Sequence, residues 1–296
     1  MPEQWPAPAK LNLMLHITGR REDGYHLLQT VFQFIDFADY LQFSTRGDNR
    51  IVRHSDPDFA VPAEEDIIVR AAKRLRQAAV AKDPGALHLG ADIRLQKNIP
   101  MGAGLGGGSS DAATTLLALN HVWRLGFSSH ELAEIGLSLG ADVPVFVHGF
   151  AAFAEGVGEK LQPVSLPENW YLLLVPPVHV STRQVFESPD LTRDCDAIKL
   201  CDLSQQEWRN VCTPVVVKNH PKVSQAIDIV DKYAKARMSG TGASVFAEFD
   251  SKTGAEQVLQ KIRKNPEIAD WTSRVVKGLN QSPLHRFLAD KKMFSS

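Results

Sequence analysis

Cysteine is scarce in this sequence, and what there is does not pair. Cys195, Cys201 and Cys212 form no CxxC and share no metal-ligand spacing with histidine, which argues against a disulfide scaffold and a zinc site. Excess charge of either sign is also missing. With 33 Lys and Arg against 34 Asp and Glu the formal net charge is −1, so no global field holds a nucleic acid or a membrane surface, and small molecules are the expected partners. The first residues, Met1-Pro-Glu-Gln-Trp-Pro6, lack a basic region followed by an apolar run, and no stretch has the length of a bilayer span. A cytoplasmic location is therefore expected. Internal repeats and low-complexity tracts are absent as well.

What is there is the composition of a folded chain: 44% hydrophobic and 23% charged, far from the polar bias of disordered sequences. Its 296 residues exceed the usual size of one core, and two domains are expected, 1–160 and 161–296. Leu11, Leu13 and Leu15 alternate as in a half-buried strand over 10–17, and 27–43 is rich in β-branched and aromatic residues. Ile68, Ala71, Ala72 and Leu75 predict an amphipathic helix over 65–79. Strand 91–96, helix 111–120, helix 129–139 ending at Gly140, and an apolar strand over 143–153 follow. The second half reads as strand 170–176, an irregular polar stretch at 188–214, a helix over 224–236 and strand 243–249.

The most informative segment is Pro100-Met-Gly-Ala-Gly-Leu-Gly-Gly-Gly-Ser-Ser-Asp111, with five glycines in seven residues before a helix. Glycine lets backbone N–H groups approach an anion, and a helix N-terminus adds unpaired donors, so phosphate is the natural ligand. A side chain at Gly106 would fill space that a phosphate needs. Ser109 or Ser110 is expected to cap the helix and to touch phosphate or magnesium. GxGxxG is formally present at Gly102, Gly104 and Gly107, but Asn120-His-Val-Trp123 stands where a dinucleotide fold wants an acidic residue. GxxxxGK[ST] and the protein-kinase motifs are absent. A glycine-rich turn that binds nothing is the bland alternative, and five glycines are more than such a turn requires.

Pro100-x-x-x-Gly104-Leu, the paired serines and the helix resemble the ATP motif of the GHMP family, which includes galactose, homoserine, mevalonate and phosphomevalonate kinases. The longer run Gly104-Leu-Gly-Gly-Gly-Ser-Ser-Asp-Ala-Ala113, with Pro8-Ala-Lys-Leu-Asn12 and Asp23-Gly-Tyr-His26, is similar to the branch that acts on a cytidine-diphosphate-linked methylerythritol in non-mevalonate isoprenoid synthesis. Gly140-Ala-Asp-Val-Pro144, Ser239-Gly-Thr-Gly-Ala243 and Ser282-Pro-Leu-His285 extend the likeness over nearly the whole chain. The resemblance implies an α+β, two-domain fold: a nucleotide domain with a left-handed β-α-β crossover and a ferredoxin-like C-terminal domain. It also implies ATP with Mg2+, and a small-molecule alcohol that carries a cytidine diphosphate group and is phosphorylated on the 2-hydroxyl of its erythritol unit. Association stays open between monomer and homodimer.

By the same resemblance Asp142 accepts the hydroxyl proton, and Lys10 supports that carboxylate and the charge on the γ-phosphate. Alone, each would read as an ordinary charge. Asn12, on the face of the strand that carries Lys10, reaches the same cleft. Tyr25, His26 and Phe186 hold cytosine, with Thr182 a weaker candidate beside them. Lys97, Pro100, Gly102, Gly104, Leu105, Gly106, Gly107, Gly108, Ser109 and Ser110 line the ATP site, Lys97 reading equally well as a solvent-facing charge. Gly240 and Gly242 let backbone approach substrate phosphate, or make a plain tight turn. Asp66 departs from an asparagine of related sequences near the adenine, and nothing is assigned to 188–214. Two alternatives remain: another GHMP kinase, which Tyr25, His26 and Phe186 argue against, and a non-catalytic nucleotide-dependent sensor, which Lys10 and Asp142 argue against.

Overall fold

The structure, a computed structural model, describes residues 3–54, 61–205 and 208–294; Met1, Pro2 and part of the irregular polar stretch, residues 206–207, lie outside the described residues. Two long strands open the chain. β1 (Trp5–Arg20) and β2 (His26–Arg46) pair antiparallel from Trp5↔Leu41 to Arg20↔His26, around a turn closed by Arg21 N donating to Tyr25 O at 2.7 Å. The alternating leucines predict a strand buried on one face. β1 is instead buried on both, Lys10, Asn12 and His16 included. Two of its three register shifts, between Pro8 and Lys10 and between Asn12 and Met14, re-aim its side chains, so that Trp5 and Ala7 enter one core, Leu11 and Leu13 a second, and Leu15 and Ile17 a third.

The remaining strands are β3 (Ile51–His54), β4 (Gly90–Gln96), β5 (Ala152–Glu155), β6 (Lys160–Pro163), β7 (Trp170–Val175), β8 (Arg237–Met238), β9 (Val245–Phe249) and β10 (Thr272–Leu279). Among the described residues they form a ten-stranded sheet in the order β3-β4-β2-β10-β7-β9-β8, with β1 and β5 also on β2 and β6 on β5. β3 runs parallel to β4; the other pairs are antiparallel. The two halves of the chain meet where β10 pairs with β2, Gly278↔Ile35 and Leu279↔Phe34.

α1 (Ile67–Lys82), α2 (Gly107–Val122), α3 (Ser129–Leu137) and α4 (Val143–His148) cover the first core, which Trp5, Phe32, Phe34, Leu41 and Ile93 supply from the sheet. α3 starts at a reciprocal cap in which Ser128 and Glu131 satisfy each other's backbone N–H. α4 corrects the strand expected over 143–153. Val143, Pro144, Val145, Phe146 and Val147 are all buried, so the segment shows no amphipathic period, and Pro144 suits a first helical turn. Gly149 ends the helix in the left-handed region at φ 73°, and β5 follows.

In the second half come α5 (Thr182–Glu187), α6 (Thr213–Asn219), α7 (Pro221–Asp231) and α8 (Lys252–Ile262). Val215, Val216, Val223, Ala226, Val230, Val258 and Ile262 pack with Leu172, Leu174 and Val245 of the sheet. The last helix, α9 (Pro283–Phe294), returns to the first half and buries Leu284 in the first core. No helix among the described residues is long and apolar enough to cross a membrane.

Candidate active site

The glycine segment joins β4 to α2. The first bond inside α2 runs from Ser110 N to Gly106 O at 2.8 Å, so the N–H groups of Gly107, Gly108 and Ser109 precede the ladder as donors for an anion. The cap is Gly106 itself, at φ 72° and without a side-chain hydrogen bond. The expectation that Ser109 or Ser110 caps the helix is thereby corrected: both lie inside its first turn. Gly104, at φ 74°, could carry no side chain, because a Cβ there would lie 2.3 Å from Ser239 O. That approach locks the two glycine loops together, with Ser239 Oγ donating to Gly104 O at 2.9 Å and Ser244 N to Ala103 O at 3.0 Å. A Cβ on Gly106 would meet Phe146 Cζ at 2.8 Å and Lys10 Cε at 3.0 Å. A side chain at Gly106 would therefore press first on Phe146 and Lys10, and the glycine leaves room for the lysine.

Lys10 is 3% exposed, a burial an ammonium tolerates only with its donors satisfied. They are: Nζ donates to Asn12 Oδ1 and to Gly104 O at 3.1 Å, and stands 3.3 Å from Asp142 Oδ2. Asn12 is fixed in turn, its Nδ2 donating to Thr30 Oγ1 at 2.8 Å and its backbone N to Ser239 Oγ at 3.0 Å. Asp142 precedes α4, makes no side-chain cap bond and keeps 35% of its side chain exposed towards the cleft. The arrangement is a rigid, buried cation beside an accessible carboxylate. It suits removal of a proton next to developing phosphoryl charge.

Beneath the glycine loop Lys97 donates to Asp39 Oδ2 at 2.6 Å and to Asp111 Oδ2 at 2.7 Å. It is buried, 8% exposed, and so is not the solvent-facing charge of the alternative reading. One ammonium serves two carboxylates here. Asp39 has other help, accepting from Asn98 N at 2.6 Å and Ile99 N at 2.8 Å. Asp111 Oδ1 has no hydrogen-bond partner. Burial pushes the Asp111 carboxyl up to about 8, against the pull of Lys97 and with Asp39 adding to the rise. For Lys97 burial acts downward, and Asp111 and Asp39 outweigh it, so its pKa is raised.

At the other end of the cleft Tyr25 stands at the β1–β2 turn, 63% exposed. His26 begins β2, and its ring lies 5.2 Å from that of Phe186 on α5, tilted by 31°. Thr182 Oγ1 is 2.9 Å from Thr241 Oγ1. Arg193, in the stretch to which the sequence assigned nothing, donates from Nε to His26 Nε2 at 3.0 Å. Burial first, then the guanidinium groups of Arg193 and Arg20, hold the His26 pKa below the ordinary histidine value.

A cleft of about 1250 Å³ brings these groups together: Lys10, Asn12, Tyr25, His26, Lys97, Pro100, Gly102, Gly104, Leu105, Gly106, Gly107, Gly108, Ser109, Asp142, Thr182, Phe186 and Gly240 all line it. Its volume exceeds that of a usual single-ligand pocket and leaves room for two. Two expected residues stand apart. Ser110 is 1% exposed and faces the protein, and a Cβ on Gly242 would meet Met238 Sδ at 3.0 Å, so that glycine packs the second loop against the interior. Asp66 caps α1, accepting from Ile68 N at 2.9 Å and Val69 N at 3.4 Å while pairing with Arg53, which commits both its oxygens. No cluster of His, Cys, Asp or Glu among the described residues could hold a metal alone. The donors present fit a magnesium ion held chiefly by phosphate and water, with Ser109 the hydroxyl facing the cleft.

Residues 66–150 match the family model described as the GHMP kinases N terminal domain, and residues 193–268 that described as GHMP kinases C terminal. The chain is 54% identical over 280 residues to a 4-diphosphocytidyl-2-C-methyl-D-erythritol kinase of Nitrosococcus oceani, covering 95% of this chain and 96% of that one. It is 52% identical to the protein of the same name from Shewanella loihica, with 95% of each chain covered. A crystal structure of 4-(cytidine 5'-diphospho)-2C-methyl-D-erythritol kinase superposes with a TM-score of 0.75 at 29% identity, over 93% of this chain and 99% of that one. A mevalonate kinase structure, at a TM-score of 0.64 and 14% identity over 95% and 99% of the two chains, shares the fold.

Proposed function

The chain belongs to the GHMP kinase family, and we propose that it transfers the γ-phosphoryl group of ATP to the 2-hydroxyl of 4-diphosphocytidyl-2-C-methyl-D-erythritol. The observation that carries this reading is the union, in one cleft, of an N–H-rich helix start, the Lys10–Asp142 pair and the His26–Phe186 ring pair. A triphosphate is held at the first and a pyrimidine at the last, which sets the alcohol of a cytidine-diphosphate-linked polyol beside the carboxylate.

In the transfer Asp142 takes the hydroxyl proton as that oxygen bonds to the γ-phosphorus. The bond from γ-phosphorus to the β–γ bridging oxygen breaks, and ADP leaves. Lys10, fixed by Asn12 and Gly104, meets the charge on the transferring group without reorganising. Ser109, which lines the cleft at the start of α2, would help hold a bound magnesium ion, which would supply charge neutralisation on the β- and γ-phosphates. Gly240, beside Asn12, belongs to the acceptor side. We take residues 1–160 as the ATP-binding domain and 161–296 as the substrate domain, and the cytoplasm as the place of action.

Inhibition by CMP tests the assignment of the pyrimidine end. Competition with the alcohol substrate and not with ATP is expected; competition with ATP alone, or no inhibition, contradicts it.

A further inference from the structure

The motif Ser282-Pro-Leu-His285 does not line the cleft, yet it meets the far end of the helix that follows Asp142. α4 has six residues and is about 9 Å long, too short to hold its own shape in water. Its last carbonyls need partners from elsewhere in the protein. The start of α9 supplies them. Nε2 of His285 lies 2.9 Å from Val147 O, and since a carbonyl only accepts, the imidazole is the donor. Ser282 N donates to Gly149 O at 2.9 Å, and Ser282 Oγ accepts from Leu284 N at 3.3 Å. Leu284 is buried in the core that also takes Val143, Val145, Phe146 and Val147. The imidazole lies against Gly149, where a Cβ would collide with the ring.

The near end of α4 carries the carboxylate. Asp142 makes no side-chain cap bond, so its direction comes from α4 and from the contact with Lys10. Phe146, one turn on, stands with Lys10 Cε beside Gly106, and α4 thus faces both members of the pair. We propose that His285 is a positioning residue of the transfer: by closing the end of α4 through Val147 O it fixes the helix, and with it the aim of Asp142 at the acceptor hydroxyl. This rests on the assignment of Asp142 as the base.

The test is a set of variants compared by steady-state kinetics with ATP and 4-diphosphocytidyl-2-C-methyl-D-erythritol, at a temperature where circular dichroism shows each folded. His285→Leu and His285→Asn remove the donor from its place and should lower kcat about tenfold or more, with both KM values unchanged. His285→Gln carries an N–H donor at the reach of Nε2 and should keep kcat within about threefold of wild type. Asp142→Asn leaves no base to aim, so adding His285→Leu to it should lower kcat by less than about twofold further. A role in stability alone would make the two losses multiply. Wild-type kcat in folded His285→Leu overturns the proposal, as does equal kcat in His285→Asn and His285→Gln, or a full second loss in the double variant. Unchanged turnover in Asp142→Asn overturns the functional reading of the carboxylate, and the proposal with it.

Discussion

Lys10 Nζ lies 3.3 Å from Asp142 Oδ2, although the two residues come from a strand near the start of the chain and from the residue before α4. The lysine is the fixed member of the pair: Asn12 and Gly104 hold it from below, and Gly106 has no side chain to push it aside. The aspartate is the accessible member. In the proposed mechanism that asymmetry divides the work between a preset cation and a base that reaches substrate.

Asp142→Asn keeps the size of the side chain and removes the base. Turnover should fall by about 10²-fold or more while the KM for ATP changes little. Steady-state kinetics check this, and unchanged turnover would remove Asp142 from the mechanism.

Lys10→Met keeps the aliphatic stem and deletes the three donors. Turnover should fall by about 10²- to 10³-fold, and the melting temperature should fall too, since Asn12 Oδ1 loses its donor and Gly104 O keeps only Ser239 Oγ. Kinetics and thermal unfolding read the two effects separately. A variant with wild-type turnover contradicts the role.

The two glycines of the loop should respond differently to alanine. At Gly106, with φ 72° and contacts of 2.8 Å to Phe146 and 3.0 Å to Lys10 awaiting a Cβ, alanine should lower stability and turnover together. At Gly108 the nearest atom is Ile67 Cγ2 at 3.9 Å, and the backbone is helical. Gly108→Ala should fold at least as well as wild type, gaining about 0.5–1 kcal/mol, yet raise the KM for ATP, because the new methyl group faces the cleft. Equal ATP KM values in Gly108→Ala and wild type would place the phosphates elsewhere.

Asp111 gives a dependence on pH. Its carboxyl is raised from 3.8 to about 8 in the folded protein, so across that window the folded chain holds a proton that the unfolded chain has released. Stability contributed by this group is then full at the acid end and lost as pH rises towards about 8. Asp111→Asn cannot lose the proton. The melting temperature of wild type relative to Asp111→Asn should decline between about pH 4 and about pH 8, and a parallel pair of profiles would show that Asp111 keeps its ordinary value.

Much of the fold was legible because period and burial agree. β2, α1, β4, α2, α3, β7 and β9 lie where their apolar spacing predicts, within a few residues at the ends. α4 was misread because a short helix buried all round has the same apolar run as a buried strand. The site divides differently. Glycine content and a following helix mark the proposed phosphate cradle by themselves, whereas Lys10 and Asp142 stand out only through the family resemblance, since their local sequence is that of ordinary charged residues. Arg193 was out of reach: its partner His26 is 167 positions away, and no local pattern in 188–214 marks it. The same holds for Asp39, brought to Lys97 across 58 positions by β2 and β4.

ATP-to-ADP turnover of the purified protein with magnesium, offered 4-diphosphocytidyl-2-C-methyl-D-erythritol, mevalonate, homoserine and galactose in parallel, decides which alcohol is the substrate. Turnover with the cytidine substrate alone is expected, with a product phosphorylated on its 2-hydroxyl. Turnover with another alcohol in preference would contradict the reading of Tyr25, His26 and Phe186, and ATP binding without turnover of any of the four would contradict the assignment of Lys10 and Asp142 to catalysis.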